Sequence, residues 1–459
     1  MSTPAESQNL SNRHRFTVLI AAFLGWMFAG LQIALFVLIH RPAMISLLTT
    51  GSPSDSPPID EKIITQWFAW YQAAFLLGAA CGGWIFGILG DQLGRTRSLA
   101  FSILCYSLCT GACYFADSPG ELLIWRFLAC LGVGGTWPNT VALVAEAWPA
   151  ASRPFLAGVL GTAANCGQVA MGLLGFYIDV TPDAWRWTFL AGAAPAVIGI
   201  WCLVGVPESV RWRMTRQHTS TQSVSPLREL FQPPLRKRTL IGILLGAIPV
   251  IGTAANAQWI VPWSDQVQAQ QRAEQTSDSN PELQSSQTRV TKPQVAQSLR
   301  PGADPKFKAR TMISRSGGAM IGSLLGGVLA TLLGRRFTYF LISLFTLCIS
   351  SLIFGWLNPL HPWFLWATFA FGLVGVTYFG WLPLYLPELF PTRVRATGTG
   401  ISFNSGRAIA AIVTLGTGLI VQLFGGNYAR IGWWTGMIYA IGMIIILFAP
   451  RTNSHSLQD

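Results

Sequence analysis

Charge is scarce in this chain: only 11% of its 459 residues are Asp, Glu, Lys or Arg, and His occurs five times. That balance describes a membrane protein and excludes an ordinary water-facing surface. Each of the 19 acidic residues lies in a loop, a tail or the end of an apolar run, and none in the middle third of one. The histidines, at 14, 40, 218, 361 and 455, also fall in loops, tails or at run ends. A metal or haem site inside the apolar part thus has no evident ligands. There is no nucleotide-binding glycine loop, no C-x-x-C pair and no Ser or Cys with a partnered His in the runs, so neither a cofactor nor a catalytic site is expected.

What is abundant is apolar length. Hydrophobic residues make up 51% of the chain, with 19 Trp and 46 Gly. Twelve runs approach the roughly 20 residues a helix needs to cross a hydrocarbon core: 16–39, 64–90, 98–116, 121–146, 154–178, 185–206, 238–262, 311–334, 337–357, 362–386, 397–424 and 431–449. The first is too long for a signal-peptide core and is read as a span.

Lys and Arg divide unevenly about these runs. With the N-terminus in the cytoplasm, inner segments hold 17 of the 31, outer segments 11, and Arg126, Arg315 and Arg407 lie within runs. Seven of the outer eleven fall in the single segment 263–310, and long segments cross largely regardless of charge. A multi-pass protein of the cell (inner) membrane with both termini cytoplasmic is expected. The net charge of +12 is a topology signal that also suits anionic lipid, and it requires no nucleic-acid partner. The eight cysteines all fall in runs. Cys105, Cys109 and Cys113 share one helix face, but with no His beside them they read as packing residues.

The chain repeats itself. PELFPTRVRATG (387–398) sets Glu388, Arg393 and Arg395 between two apolar runs, and AEAWPAASRPFLAG after the fourth run shares its E-x-x-P-x-x-x-R pattern. Glu146, Pro149 and Arg153 match Glu388, Pro391 and Arg395 at an offset of 242. GILGDQLGRTRS from Gly87 and GVLATLLGRRFT from Gly327 match at 240. These offsets predict a duplication: an N-terminal six-helix bundle at 1–206, a cytoplasmic linker at 207–237, and a C-terminal six-helix bundle at 238–459 with a polar extracytoplasmic insert at 263–310. The expected fold class is all-α, twelve transmembrane helices in two pseudo-symmetric bundles. Glu146, Arg153, Glu388 and Arg395 then occupy matching cytoplasmic junctions, where charge-assisted bonds form only while the inner ends of the halves are closed together. Such charges make a latch.

Gly87 to Arg97 resembles the G-x-x-x-D-x-x-G-R-x-R loop of the major facilitator superfamily, and RFLACLGVGG (126–135) resembles that family's fourth-span signature. PESVRW after the sixth run and PELFPTRVRATG after the tenth look like its sugar-porter and metabolite-symporter branches. The resemblance covers the chain apart from the insert. It implies a carrier working by alternating access, with a midplane substrate site between the halves. It also implies a charge network, Asp91, Arg95, Arg97, Glu146, Arg153, Glu388, Arg393 and Arg395, that holds the outward-facing state. For Arg97 and Arg393, a plain role in setting orientation stands level with that reading. Thr331 stands where the second copy of the loop should repeat Asp91, which weakens half of the latch.

Polar residues inside spans are costly and mark function. Asn165 and Gln168 in the fifth run, and Asn404 and Arg407 in the eleventh, are each spaced i, i+3, and Arg407 answers Asn165 under the 242 offset. With Trp26, Gln32, Trp137, Asn139, Asn256, Gln258 and Tyr378 they form a candidate substrate pocket in which rings stack and amides bond hydroxyls or carboxyls. For each amide the alternative is an interhelical hydrogen bond without a ligand. Arg407 has no carboxylate near it in the sequence and suits an anionic solute.

Symporters of the resembling branch often carry carboxylates in the first span, where this chain reads GWMFAGLQ with Ala29 and Gln32 at those positions. A proton relay needs a titratable group. The expectation is therefore a monomeric facilitator in the lipid bilayer, taking a sugar or a small organic anion such as a carboxylate. The alternative is a proton-coupled symporter using Asp60, Glu61 or the latch carboxylates. A solute sensor built like a transporter is a third reading, disfavoured by the short cytoplasmic termini and modest linker. The insert, rich in Gln and Ser, is expected to be a mobile, tolerated insertion.

Overall fold

The computed structural model describes residues 11–49, 61–149, 152–178, 180–218, 225–260, 263, 264, 267, 305–416, 423, 424 and 427–452. The described residues form twelve helical spans and no strand. The first six are α1 (Asn12–Leu48), α2 (Glu61–Leu93), α3 (Arg95–Ala112), α4 (Pro119–Ala147), α5 (Arg153–Tyr177) and α6 (Trp187–Gly205). After two short linker helices, Val210–His218 and Pro226–Leu230, come α7 (Leu235–Ala254), α8 (Pro305–Leu332), α9 (Arg335–Gly355), α10 (Phe364–Glu388), α11 (Arg395–Leu415) and α12 (Tyr428–Phe448). The insert lies almost wholly outside the described residues, as do Asp60 and the side chains of Glu61 and Gln258.

Local chemistry starts and interrupts these helices. The α4 N-terminus is a capping box: Ser118 Oγ accepts from the Glu121 N–H at 3.2 Å, and Glu121 accepts from the Asp117 N–H at 3.0 Å. Three runs read from sequence as single spans are each two helical pieces. α6 breaks at Ala194–Pro195, α10 at Val376–Thr377 and α12 at Gly436–Met437. α1 runs past its expected end at residue 39 to Leu48, through Pro42.

Over their described residues, ten of the spans are long and apolar enough to cross a membrane by composition. α11 packs against α2 and α8 against α5, so both face the opposite half of the protein. Lipid is met by exposed apolar side chains such as Leu108, Ile124, Val197 and Trp366, and by Ile412 on the outer side of α11.

Within each half, backbones touch. A Cβ on Gly82 of α2 would lie 1.8 Å from the Leu131 carbonyl oxygen of α4, and one on Gly322 of α8 would lie 1.7 Å from the Leu373 oxygen of α10. Gly322 and Leu373 are the copies of Gly82 and Leu131 at offsets of 240 and 242. The duplication is therefore present in the packing, and small residues provide it.

Candidate functional site

The latch residues gather at the end of the bundle where the odd-numbered helices begin. Asp91 closes α2, Arg95 opens α3, Glu146 ends α4 and Arg395 opens α11. Arg95 bonds Asp91 at 2.7 Å and Glu146 at 3.4 Å, and Arg395 reaches the same Glu146 oxygen at 3.0 Å from the other half. All four side chains are sealed from water. Two carboxylates and two guanidiniums make a neutral set, the condition under which buried charge is tolerated.

Asp91 does more than pair. Its carboxylate accepts from the N–H groups of Ala396 at 3.2 Å and Thr397 at 2.8 Å and from the Thr397 hydroxyl at 2.5 Å, so α2 of one half caps α11 of the other. Arg95 also donates to the Thr392 carbonyl across the halves at 2.6 Å. These bonds require the two halves to be in contact here, so the structure is closed at this end.

Sequence reasoning missed Glu208. Its carboxylate accepts from the N–H groups of Arg95 at 2.9 Å and Thr96 at 3.1 Å, capping α3. Gly94 just before has φ +113°, and a Cβ there would fall 2.2 Å from Glu208 Oε2. Ser209 donates to Glu146 at 2.5 Å, and the Trp212 indole donates to the Asp91 carbonyl at 2.8 Å. The PESVRW stretch is thus part of this charge cluster. Only its likeness to a known motif hinted at this, since a contact between residues 113 apart leaves no local pattern.

The second half repeats the first with losses. Arg335, the copy of Arg95, bonds Glu388 at 3.0 Å and the Ala330 carbonyl at 2.9 Å, but meets the Thr331 hydroxyl at 3.1 Å where Arg95 meets Asp91. Thr452 donates to Glu388 at 2.6 Å as Ser209 does to Glu146. Arg153 does not complete the pair that symmetry with Glu146 and Arg395 predicts: it bonds the Trp148 carbonyl at 3.2 Å, and no ion pair joins it to Glu388. The two instead line one crevice between the halves with Leu160 and Pro383. Arg393 pairs with Glu229 of the linker at 2.6 Å, and Arg97 is exposed with no ion pair among the described residues.

The mid-span residues divide into two groups. Gln32 and Asn256 occupy matching places as internal clamps. Gln32 of α1 donates to the Gly192 carbonyl of α6 at 2.6 Å and accepts from Thr110 of α3 at 2.9 Å. Asn256, two residues past α7, donates to the Gly432 carbonyl of α12 at 2.6 Å and accepts from Ser350 of α9 at 3.1 Å. Gly432 and Ser350 are the copies of Gly192 and Thr110 at an offset of 240. Asn139 donates to the Phe86 and Gly135 carbonyls, both at 2.9 Å, and the buried Tyr378 hydroxyl bonds Ser343 at 2.7 Å. In these three amides the helix-bonding alternative describes what the structure shows, with the Asn139 Oδ1 left buried and unpartnered.

The second group meets between the halves. Trp137 of α4 stacks on Phe403 of α11 with ring centroids 4.0 Å apart. Arg407 lies one turn further along α11, its guanidinium 4.9 Å from the Phe403 ring centroid and 5.8 Å from that of Phe75 on α2. Its Nη1 donates to Asn404 Oδ1 at 2.8 Å, and no carboxylate among the described residues pairs with it. Asn165 and Gln168 on α5 are half-buried and make no hydrogen bond among the described residues. Trp26 is buried in α1 within the main apolar core.

A twelve-helix bundle with a closing charge cluster at one end and ring-walled polar groups between its halves has counterparts. Residues 17–262, more than half of the chain, match the family model described as sugar (and other) transporter. The chain belongs to that family. This transporter is 28% identical to a putative metabolite transport protein of Haemophilus influenzae, over 83% of its own length and 86% of the relative's. It is 27% identical to the cis,cis-muconate transport protein of Acinetobacter baylyi, covering 84% and 85%. The niacin transporter of the same organism is 24% identical over 97% and 96%. Among solved structures, the proton:xylose symporter XylE bound to 6-bromo-6-deoxy-D-glucose superposes with a TM-score of 0.73 over 98% of each chain at 16% identity, which shows the major facilitator fold. The chain is a membrane-embedded secondary transporter of small organic solutes.

Proposed function

We propose that this transporter carries a small organic anion, a carboxylate, by alternating access as a facilitator, with both termini in the cytoplasm. The observation that carries the reading is Arg407. A buried guanidinium in a low-dielectric interior demands an anion, and among the described residues Arg407 has an amide and two ring faces as partners. Trp137, Phe403 and Phe75 beside it supply flat apolar surface for an unsaturated or aromatic acid, and Asn165 and Gln168 supply free amides. Relatives named for muconate and benzoate transport point to the same class of solute.

Facilitation rather than proton coupling is favoured by α1. Ala29 is fully buried, and the Gln32 amide is spent on two neutral bonds, so neither position leaves a titratable group. Uptake of labelled benzoate and of labelled xylose into proteoliposomes tests the class of solute. Saturable benzoate uptake, inhibited by unlabelled benzoate and not by xylose, is expected; xylose uptake alone would overturn the reading.

A further inference from the structure

A second buried guanidinium faces the same ring as Arg407. Arg126, seven residues into α4, is almost fully buried, with its Cζ 4.0 Å from the Phe36 ring centroid and 5.3 Å from that of Phe75. Arg407 approaches Phe75 to 5.8 Å. One phenyl ring of α2 therefore touches an arginine from each half of the transporter, and the two guanidinium carbons lie at most 5.3 + 5.8 = 11.1 Å apart.

Neither charge is answered. Arg126 donates through Nη1 to the Gln32 backbone carbonyl at 3.0 Å, while its Nε and Nη2 are sealed with no partner. Arg407 donates to the Asn404 side chain. Both partners are neutral, and among the described residues no Asp or Glu pairs with either arginine. Two uncompensated like charges sharing a dry site repel each other. A monoanion would neutralise one and leave the other, whereas a short dianion would answer both.

We propose that Arg126 and Arg407 form a two-point receptor for a dicarboxylate, one carboxylate on each guanidinium with the carbon frame against Phe75. This rests on the reading of Arg407 as an anion receptor and adds a choice of charge to it. Because one arginine comes from each half, a bound diacid would also tie the halves together around the solute. That is the contact a carrier needs in its occluded state.

Hexa-2,4-dienedioate (muconate) and hexa-2,4-dienoate (sorbate) share the same diene and differ by one carboxylate. Their equilibrium binding to the purified full-length protein in lipid nanodiscs, measured by calorimetry at neutral pH, separates the two ideas. The wild type is expected to bind the diacid at least tenfold more tightly. Arg126→Gln is expected to abolish that preference, and Arg407→Gln to weaken both. Equal affinities in the wild type would overturn the two-point receptor even if no variant folds, and so would a preference that survives Arg126→Gln. Failure of both acids to bind, with xylose binding, would instead remove the underlying anion reading.

Discussion

Arg395 of the second half and Glu146 of the first lie 3.0 Å apart with both side chains shut off from water, and Arg95 reaches the same carboxylate oxygen at 3.4 Å. The pair joins halves that must separate at this end for solute to leave. Replacing one member of such a buried set strands the rest as uncompensated charge, at a cost of about 3 to 5 kcal/mol. That is enough to move a two-state equilibrium by two orders of magnitude or more.

Glu146→Gln should therefore populate the state open at this end. Spin labels at Arg97 of α3 and Leu333 after α8, both exposed, would report a longer distance by pulsed electron resonance than in the unsubstituted pair. The same substitution at Glu388 should have a smaller effect, because its cross-half partner Arg153 is not engaged. Equal shifts from the two would contradict the asymmetry seen here.

Gly94 and Gly334 open α3 and α9 at φ +113° and +86°. An L residue in either place is strained by about 1 to 2 kcal/mol. Only at Gly94 does the new Cβ also meet the Glu208 carboxylate, since nothing lies within 4 Å of the site at Gly334. Gly94→Ala should lower the apparent melting temperature more than Gly334→Ala. Tryptophan fluorescence on heating would show it, and the reverse order would mean that Glu208 is not the α3 cap.

Gln32 and Asn256 divide clamp from receptor. Each joins three helices of its own half, and losing the amide leaves a buried carbonyl and a hydroxyl unanswered, a penalty of about 1 to 3 kcal/mol. Gln32→Leu and Asn256→Leu should destabilise the fold while benzoate affinity stays within about threefold. A tenfold loss of affinity without loss of stability would return them to the binding site.

Coupling is tested by the driving force. Uptake into proteoliposomes should reach the same plateau with or without an inward proton gradient. Accumulation above equilibrium would show a proton site elsewhere, with Asp60, Glu61, Asp91, Glu146 and Glu388 the groups to replace next.

The duplication was legible because it is a linear property. Offsets of 240 and 242 paired Arg95 with Arg335 and Glu146 with Glu388 before any coordinates, and Thr331 already marked the weaker half. What could not be read was direction. An amide within a span looks the same whether it turns to a solute or to the next helix, so Gln32, Asn139 and Asn256 stood beside Asn165 until their partners were known. Glu208 was invisible as a cap because the N–H groups it satisfies become orphans only when α3 begins beside it. In the sequence Arg126 is a charge within a run, and its place against Phe75 depends on how α1, α2 and α4 pack.

The central claim is that Arg407 is the receptor for an anion. Its most direct test is the benzoate dissociation constant of Arg407→Gln against the wild type, with folding verified by the unfolding midpoint of each protein. A loss of at least a hundredfold in affinity with an unchanged midpoint is predicted, since a charge-assisted pair in a dry site is lost. Unchanged affinity in a folded variant would contradict the account.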